Sequence, residues 1–339
     1  MAAGNPQRTA NLLDLVEAAY DLDAPHRTWL RRLADLTSLL VAGGGVGGAY
    51  TFDYSRRDAP SFSPTAFVNA PRKYASLARE YMAVFQRTEP RTLEDLHVNL
   101  RRGPVGTLSE QVGIAAIRRT PLGQFLDRFG CEDAFGCVVA DPEGHGVVLS
   151  TNLARVTRLS EATRKRWTQL GAHVAAAARL RRRLSHAVAE PAIVHPSGRV
   201  VHAEGEARGH SARERLRDAV RAVDAARSRK GRAQPDESLA LWKGLVAGRW
   251  SLIERFDSDG RRYFVARRND PEVTGPFALT RRERQVVAYA AMGHSLKLIA
   301  YELGLGVSTV SEHRSSAMRK LGVRSTDLAA LLAPQAGKR

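Results

Sequence analysis

The chain has 339 residues, 43% of them hydrophobic, and a formal charge of +17; this calls for two or three domains with real cores and excludes a disordered tail protein. So basic a balance favours a polyanionic partner, either nucleic acid or an anionic membrane surface. Two cysteines, Cys131 and Cys137, exclude a disulfide framework and a Cys-x-x-Cys zinc or redox site, and a reducing cytoplasm is the expected location.

The N-terminus lacks a basic start followed by an apolar run and reads as an amphipathic helix. Leu12, Leu13, Val16 and Ala19, then Trp29, Leu30, Leu33, Leu36 and Leu40, recur at helical spacing on either side of the breaker Ala24-Pro25, so two helices open the chain. The apolar run 39–50 is broken by Gly43, Gly44, Gly45, Gly47 and Gly48, which makes it a poor membrane span. The glycines read as a flexible connection into a half-buried strand at AYTFDY, 49–54. Helices are expected over 72–86 and around 121–129. FGCVVADPEGHGVVLST, 135–151, is two β-branched runs around Asp141-Pro142-Glu143-Gly144 and predicts a hairpin. Ser160 starts a long helix with Trp167, Leu170, Val174, Ala177 and Leu180 on one side. It ends in the basic run RLRRRL, 179–184, read as a solvated helix end complementing the helix dipole.

Glu190-Pro191 marks a boundary. AIVHPSGRVVHA, 192–203, and WSLIERFDSDGRRYFVARR, 250–268, predict hairpins, with a charged helix at 211–229 between them. Residues 271–276 read as a linker. In order of elements, 1–190 resembles a GAF-like sensory domain, an antiparallel sheet flanked by helices, and 191–270 resembles a small PAS-like module.

Several groups have the look of chemical sites. Gly43, Gly45 and Gly48 fit G-x-G-x-x-G, but a dinucleotide fingerprint follows a strand and opens a helix, the reverse of the order here. His195, His202 and His210 have no recurring metal-ligand spacing, and Asp257 and Asp259 are turn formers whose following residues give strand. No Gly-x-x-x-x-Gly-Lys-Ser/Thr is present. With no nucleophile, acid–base pair or metal set on a credible scaffold, neither enzyme activity nor a cofactor is expected.

From residue 277 the signals become dense. Thr280-Arg281-Arg282-Glu283 is a capping box, opening a helix with Val286, Val287, Ala290 and Ala291 inward that stops at Gly293. Ser295 caps a second, with Leu296, Ile299, Ala300 and Leu303 inward, ending at Gly304. A third runs from Val307 to Leu321 with Val310, Ala317 and Leu321 inward, and a fourth near Ser325 holds Asp327, Leu328, Leu331 and Leu332. Two helices joined by a tight Gly-containing turn in a small basic bundle describe a helix-turn-helix.

Residues 277–335 resemble the DNA-binding domain of LuxR-type transcription regulators at Leu279, Thr280, Arg282, Glu283, Gly293, Ser295, Lys297, Ile299, Ala300, Leu303, Gly304, Thr309, Val310, His313, Lys320, Leu321, Gly322 and Val323. The sequence departs from the pattern at Leu298, where the family has glutamate, and at Gly306, where it has a serine cap. Glycine is an acceptable N-cap, costing only a few tenths of a kcal/mol.

With Val310, Ala317 and Leu321 inward, Ser308, Ser311, Glu312, Ser315 and Arg319 fall on the outer face. The resemblance implies that Ser311, Glu312 and Ser315 enter the major groove, where serine bonds several base edges and glutamate can accept from cytosine N4. Base readout is assigned to Ser308, Ser311, Glu312 and Ser315. Backbone contact is assigned to Lys297, Thr309, Arg314, Arg319, Lys320 and Arg324, since phosphates supply most of the affinity. Residues 276–339 hold ten Lys and Arg against four Asp and Glu, a net +6. The resemblance also implies a homodimer through the last helix, at Leu328, Leu331 and Leu332.

The expected fold is a multidomain α+β chain, an N-terminal antiparallel sheet with flanking helices followed by an all-α four-helix helix-turn-helix domain. The expected function is a transcription regulator on double-stranded DNA, with the first 270 residues receiving a small-molecule or protein signal. RNA polymerase is a further candidate partner, and no membrane partner is expected. The alternatives are a sigma-factor-like promoter reader and a regulator whose N-terminal region is a protein-interaction platform.

Overall fold

The computed structural model describes residues 10–55, 60–70, 79–80, 83–84, 103–113, 116, 118–119, 121–127, 130–183, 192–257, 259–271 and 279–323. Helices α1 (Leu12–Ala19) and α2 (His26–Leu40) open the chain. Asn11 caps α1 with a complete capping box through Asp14, and the Trp29 indole donates to Ala19 O at 3.0 Å, tying the two helices together.

The first sheet is antiparallel and contains β1 (Gly44–Asp53), β2 (Ser61–Phe62), β3 (Ala66–Val68), β4 (Val105–Thr107), β5 (Asp133–Ala140) and β6 (His145–Leu153), in the order β2-β1-β6-β5-β4, with β3 also on β1. The predicted hairpin is β5–β6, with Val139 opposite Val147. The glycines are not the flexible connection expected. Gly44, Gly45, Gly47 and Gly48 lie inside β1, where the strand runs so close under α2 that a Cβ on Gly47 would stand 2.7 Å from Ala34 O. A bare backbone is what lets this strand meet the helix.

Side chains alternate across β1. Ala49 joins the core beneath the helices, while Tyr50, Phe52 and Tyr54 form a second cluster with Ala140 and Val148 on the other face. Between the sheet strands lie α3 (Leu108–Gln111) and α4 (Pro121–Asp127). Of the helix expected over 72–86, only residues 79–80 and 83–84 are described, and these are helical; the rest lies outside the described residues.

Helix α5 (Glu161–Arg183) crosses the sheet with Trp167, Leu170, Val174, Ala177 and Leu180 buried. The solvated helix end expected at its C-terminus is not what forms. Arg179 is 2% exposed and donates from Nε to Asn269 O at 3.0 Å. Arg181 donates to the carbonyls of Asp21 and Ala24 at 2.7 and 2.6 Å, and Arg182 pairs with Asp141 and Glu143 at 2.8 and 2.7 Å. Guanidinium groups carry five donors in a rigid fork, and here carbonyls and carboxylates take them in place of water.

The second sheet has the antiparallel order β8-β7-β10-β9, from β7 (Ala192–Val194), β8 (Val200–Ala203), β9 (Trp250–Phe256) and β10 (Arg262–Arg268). Helices α6 (His210–Arg227), α7 (Arg229–Ala233) and α8 (Pro235–Leu241) join its two strand pairs. Asp257 forms the expected turn by accepting from the Asp259 and Arg261 amides at 3.0 and 2.7 Å. His195 and His202 are exposed and bond locally to Ser197 and Glu204. Ala192, Val194, Leu216, Val220, Trp250 and Phe264 share one continuous core with Leu13, Trp29, Leu149 and Trp167.

Three helices close the described chain: α9 (Arg281–Ala291), α10 (Leu296–Leu303) and α11 (Val307–Leu321). Among the described residues no helix is long and apolar enough to cross a membrane, and no group of His, Cys, Asp and Glu is placed to hold a metal ion.

Candidate nucleic-acid interface

The site is built on α9 to α11. Thr280 and Glu283 form both halves of the predicted capping box: the Glu283 amide donates to Thr280 Oγ1 at 3.3 Å, and the Thr280 amide donates to Glu283 Oε2 at 2.7 Å. Ser295 caps α10 through the Leu298 amide at 3.2 Å. Gly304 ends it in the left-handed conformation, φ 62°, which glycine adopts without a Cβ penalty. Gly306 then caps α11 with no side-chain bond. Only Gly304, Leu305 and Gly306 separate α10 from α11, so the two helices form the tight unit expected.

Val286, Tyr289, Ile299, Ala300, Leu303 and Val310 make one core of this bundle, and Leu279, Val287 and Ala317 a second. Behind the turn between α9 and α10, His294 Nδ1 lies 3.2 Å from Glu302 Oε2, a pair almost closed to solvent.

Glu283 does more than cap. Its carboxylate, 4% exposed, accepts from Lys320 Nζ at 2.7 Å and from Ser316 Oγ at 2.7 Å, so the first turn of α9 holds the far end of α11. The Lys320 ammonium foremost, then Ser316 and the Thr280 amide, hold its pKa down at about 2 against the opposition of burial.

With Val310 and Ala317 fully buried, α11 turns Ser308, Glu312, Ser315 and Arg319 to solvent, with Ser311 at the margin. Lys297 is exposed at the start of α10. Ser308, Thr309, Ser311, Glu312, Arg314, Ser315 and Arg319 therefore lie on one helix, and Lys297 on the helix before it. None of the described ion pairs involves Lys297, Arg314, Arg319 or Glu312. Lys320 is exposed as well and pairs with Glu283. Arg324, Asp327, Leu328, Leu331 and Leu332 lie outside the described residues.

Sequence reasoning missed the opposite side of the domain, which is docked on the rest of the chain. Tyr301 donates its hydroxyl hydrogen to Leu239 O at 2.7 Å, and its oxygen lies 3.0 Å from His173 Nε2. Trp242 O is 3.2 Å away. Burial, foremost, brings the His173 pKa down to about 3, so the ring is neutral and its Nε2–H can donate to the tyrosine oxygen. The Arg282 guanidinium donates to the carbonyls of Gly248 and Ala247 at 2.8 and 2.6 Å. Arg281 pairs with the buried Asp270. Leu298, also buried, lies on α10, which packs against α5. The one available signal was Leu298 itself, an apolar residue where the family carries an acid.

Two helices joined by a tight glycine-containing turn, held by a third capped helix, define a helix-turn-helix domain. Residues 278–333 match the model of the bacterial regulatory proteins of the luxR family, and the C-terminal domain is a helix-turn-helix domain of that family. The transcriptional regulatory protein UhpA, from Escherichia coli K12 and from Salmonella typhimurium, is 39% identical over 92 residues, 27% of this chain. The match spans 41% of the length of those two proteins. Among solved structures, Escherichia coli SdiA aligns over 91% of both chains at 11% identity with a TM-score of 0.27.

Proposed function

We propose that the chain is a transcription regulator that binds double-stranded DNA through α11 and whose first 270 residues receive a signal and control that binding. One observation carries the DNA reading: on a luxR-family scaffold, the outward face of α11 stays open although the domain is docked on the body through its other side. Phosphate contacts from Lys297, Thr309, Arg314 and Arg319 supply most of the affinity, as sequence-independent cations do. Ser308, Ser311, Glu312 and Ser315 read a few base edges, with Glu312 suited to cytosine N4. Readout this sparse calls for a homodimer on paired half-sites.

Binding-site selection with the full chain and with Glu312→Ala tests this. Selection yields a paired motif, and the variant loses preference at one base pair per half-site, worth about 1–3 kcal/mol. An identical motif from both proteins removes Glu312 from the reading set. Failure to enrich any sequence removes the DNA reading altogether.

A further inference from the structure

A cavity of about 410 Å³ opens between α2 and the C-terminal half of α5, floored by the end of the first sheet around Asp53, Val139 and His145. This size suits a small organic molecule. Trp29, Ala175 and Ala178 give it an apolar wall. Its two carboxylates already have partners, since Asp53 lies 3.2 Å from His145 Nδ1 and Asp141 takes Arg182 at 2.8 Å.

Arg179 and Arg181 also line it, and neither joins an ion pair among the described residues. Arg181 is held by the two backbone carbonyls of the α1–α2 connection, with its guanidinium 4.8 Å from the centre of the Trp29 ring. Arg179 is almost wholly buried, and its Nη1 is shut off from solvent with no hydrogen-bond partner. Two guanidinium groups without a carboxylate partner among the described residues, beside an apolar wall, favour an anionic guest, whose oxygens would meet their charge.

We propose that this cavity binds a small organic acid, with Arg179 and Arg181 receiving its carboxylate and Trp29, Ala175 and Ala178 receiving a flat apolar body. The inference rests on the signal-responsive reading above and gives the signal a chemical class. It also gives a route to the DNA-binding domain. Arg179 holds Asn269 O through its Nε and faces the buried Tyr289 hydroxyl of α9, so the group that would meet the acid is already in touch with the first helix of that domain.

Titration calorimetry of the full chain with cinnamate, and with cinnamyl alcohol as the uncharged analogue, tests the assignment. Cinnamate should bind saturably and the alcohol about tenfold or more weakly, the size expected for charged hydrogen bonds. Arg181→Gln, at a half-exposed position, should lower cinnamate affinity by about tenfold and leave the alcohol unchanged. Ala178→Leu should weaken both by filling the cavity. No saturable heat with cinnamate at millimolar concentration, equal binding of acid and alcohol, or an unaffected Arg181→Gln protein overturns the proposal. Fluorescence anisotropy on the selected DNA separates the two readings. Cinnamate that binds without changing DNA affinity upholds the cavity and refutes control by this signal, whereas DNA binding without cinnamate binding upholds the DNA reading and refutes the cavity.

Discussion

Replacing Glu283 by glutamine tests how the reading helix is held. The side chain keeps its shape and can still accept from Thr280, but it loses the charge that meets Lys320 and Ser316. The size of the effect follows from linkage. A carboxyl at 4.5 when unfolded and about 2 when folded contributes on the order of 3 kcal/mol at neutral pH, at 1.36 kcal/mol per unit. Because the folded value is depressed, the contribution is complete above pH 4.5 and disappears as the pH falls toward about 2. Glu283→Gln should therefore destabilise the domain at pH 7 by roughly 2–3 kcal/mol, with the gap from wild type closing over that acid range. Amide exchange of α9 and α11 reads this out within the domain, apart from unfolding of the rest of the chain. A gap below about 0.5 kcal/mol at pH 7, or one that is constant down to pH 3, would show that the ion pair does not fasten α11.

Two further substitutions probe the docked face. Tyr301→Phe leaves Leu239 O and the His173 ring without the hydroxyl they share, and should cost about 1–3 kcal/mol in chemical denaturation; an unchanged midpoint would refute the latch. Gly304→Ala and Gly322→Ala form a matched pair, both at positive φ, 62° and 67°. Each carries a left-handed penalty of about 1–2 kcal/mol, but only at Gly304 would the new methyl overlap the Leu245 carbonyl oxygen, and at Gly322 it meets open space. Thermal melts should rank Gly304→Ala clearly below Gly322→Ala, and equal losses would mean that α10 does not press on the body.

Much of the C-terminal domain was legible because its signals are local. Thr280, Glu283, Ser295 and Gly304 act on amides and carbonyls within a turn of themselves, so spacing alone reveals them. The β5–β6 hairpin and the Asp257 turn were legible for the same reason. The docked face was not, because periodicity reports that α10 has an apolar stripe but not that Leu298 and Tyr301, just off that stripe, meet another surface. Nor does counting charge foretell Arg179 to Arg183. Five guanidinium donors can be met by carbonyls far away in sequence, and a basic run then becomes interior structure. The glycines of β1 misled in the opposite sense, since the freedom glycine has in isolation was used here for close approach to α2. The outward set on α11 followed from helical geometry once Val310 and Ala317 were placed inside.

The contacts of Tyr301, Arg282 and Gly304 have a consequence for the DNA. Helix-turn-helix proteins that pair meet half-sites about one helical turn apart, roughly 34–36 Å. A reading head on a loose tether could accommodate an added base pair by swivelling. One clamped by backbone carbonyls and a shared tyrosine hydroxyl cannot swivel without breaking them. On the proposed reading of a dimer on DNA, the permitted spacing between half-sites would then be limited by the body's own shape.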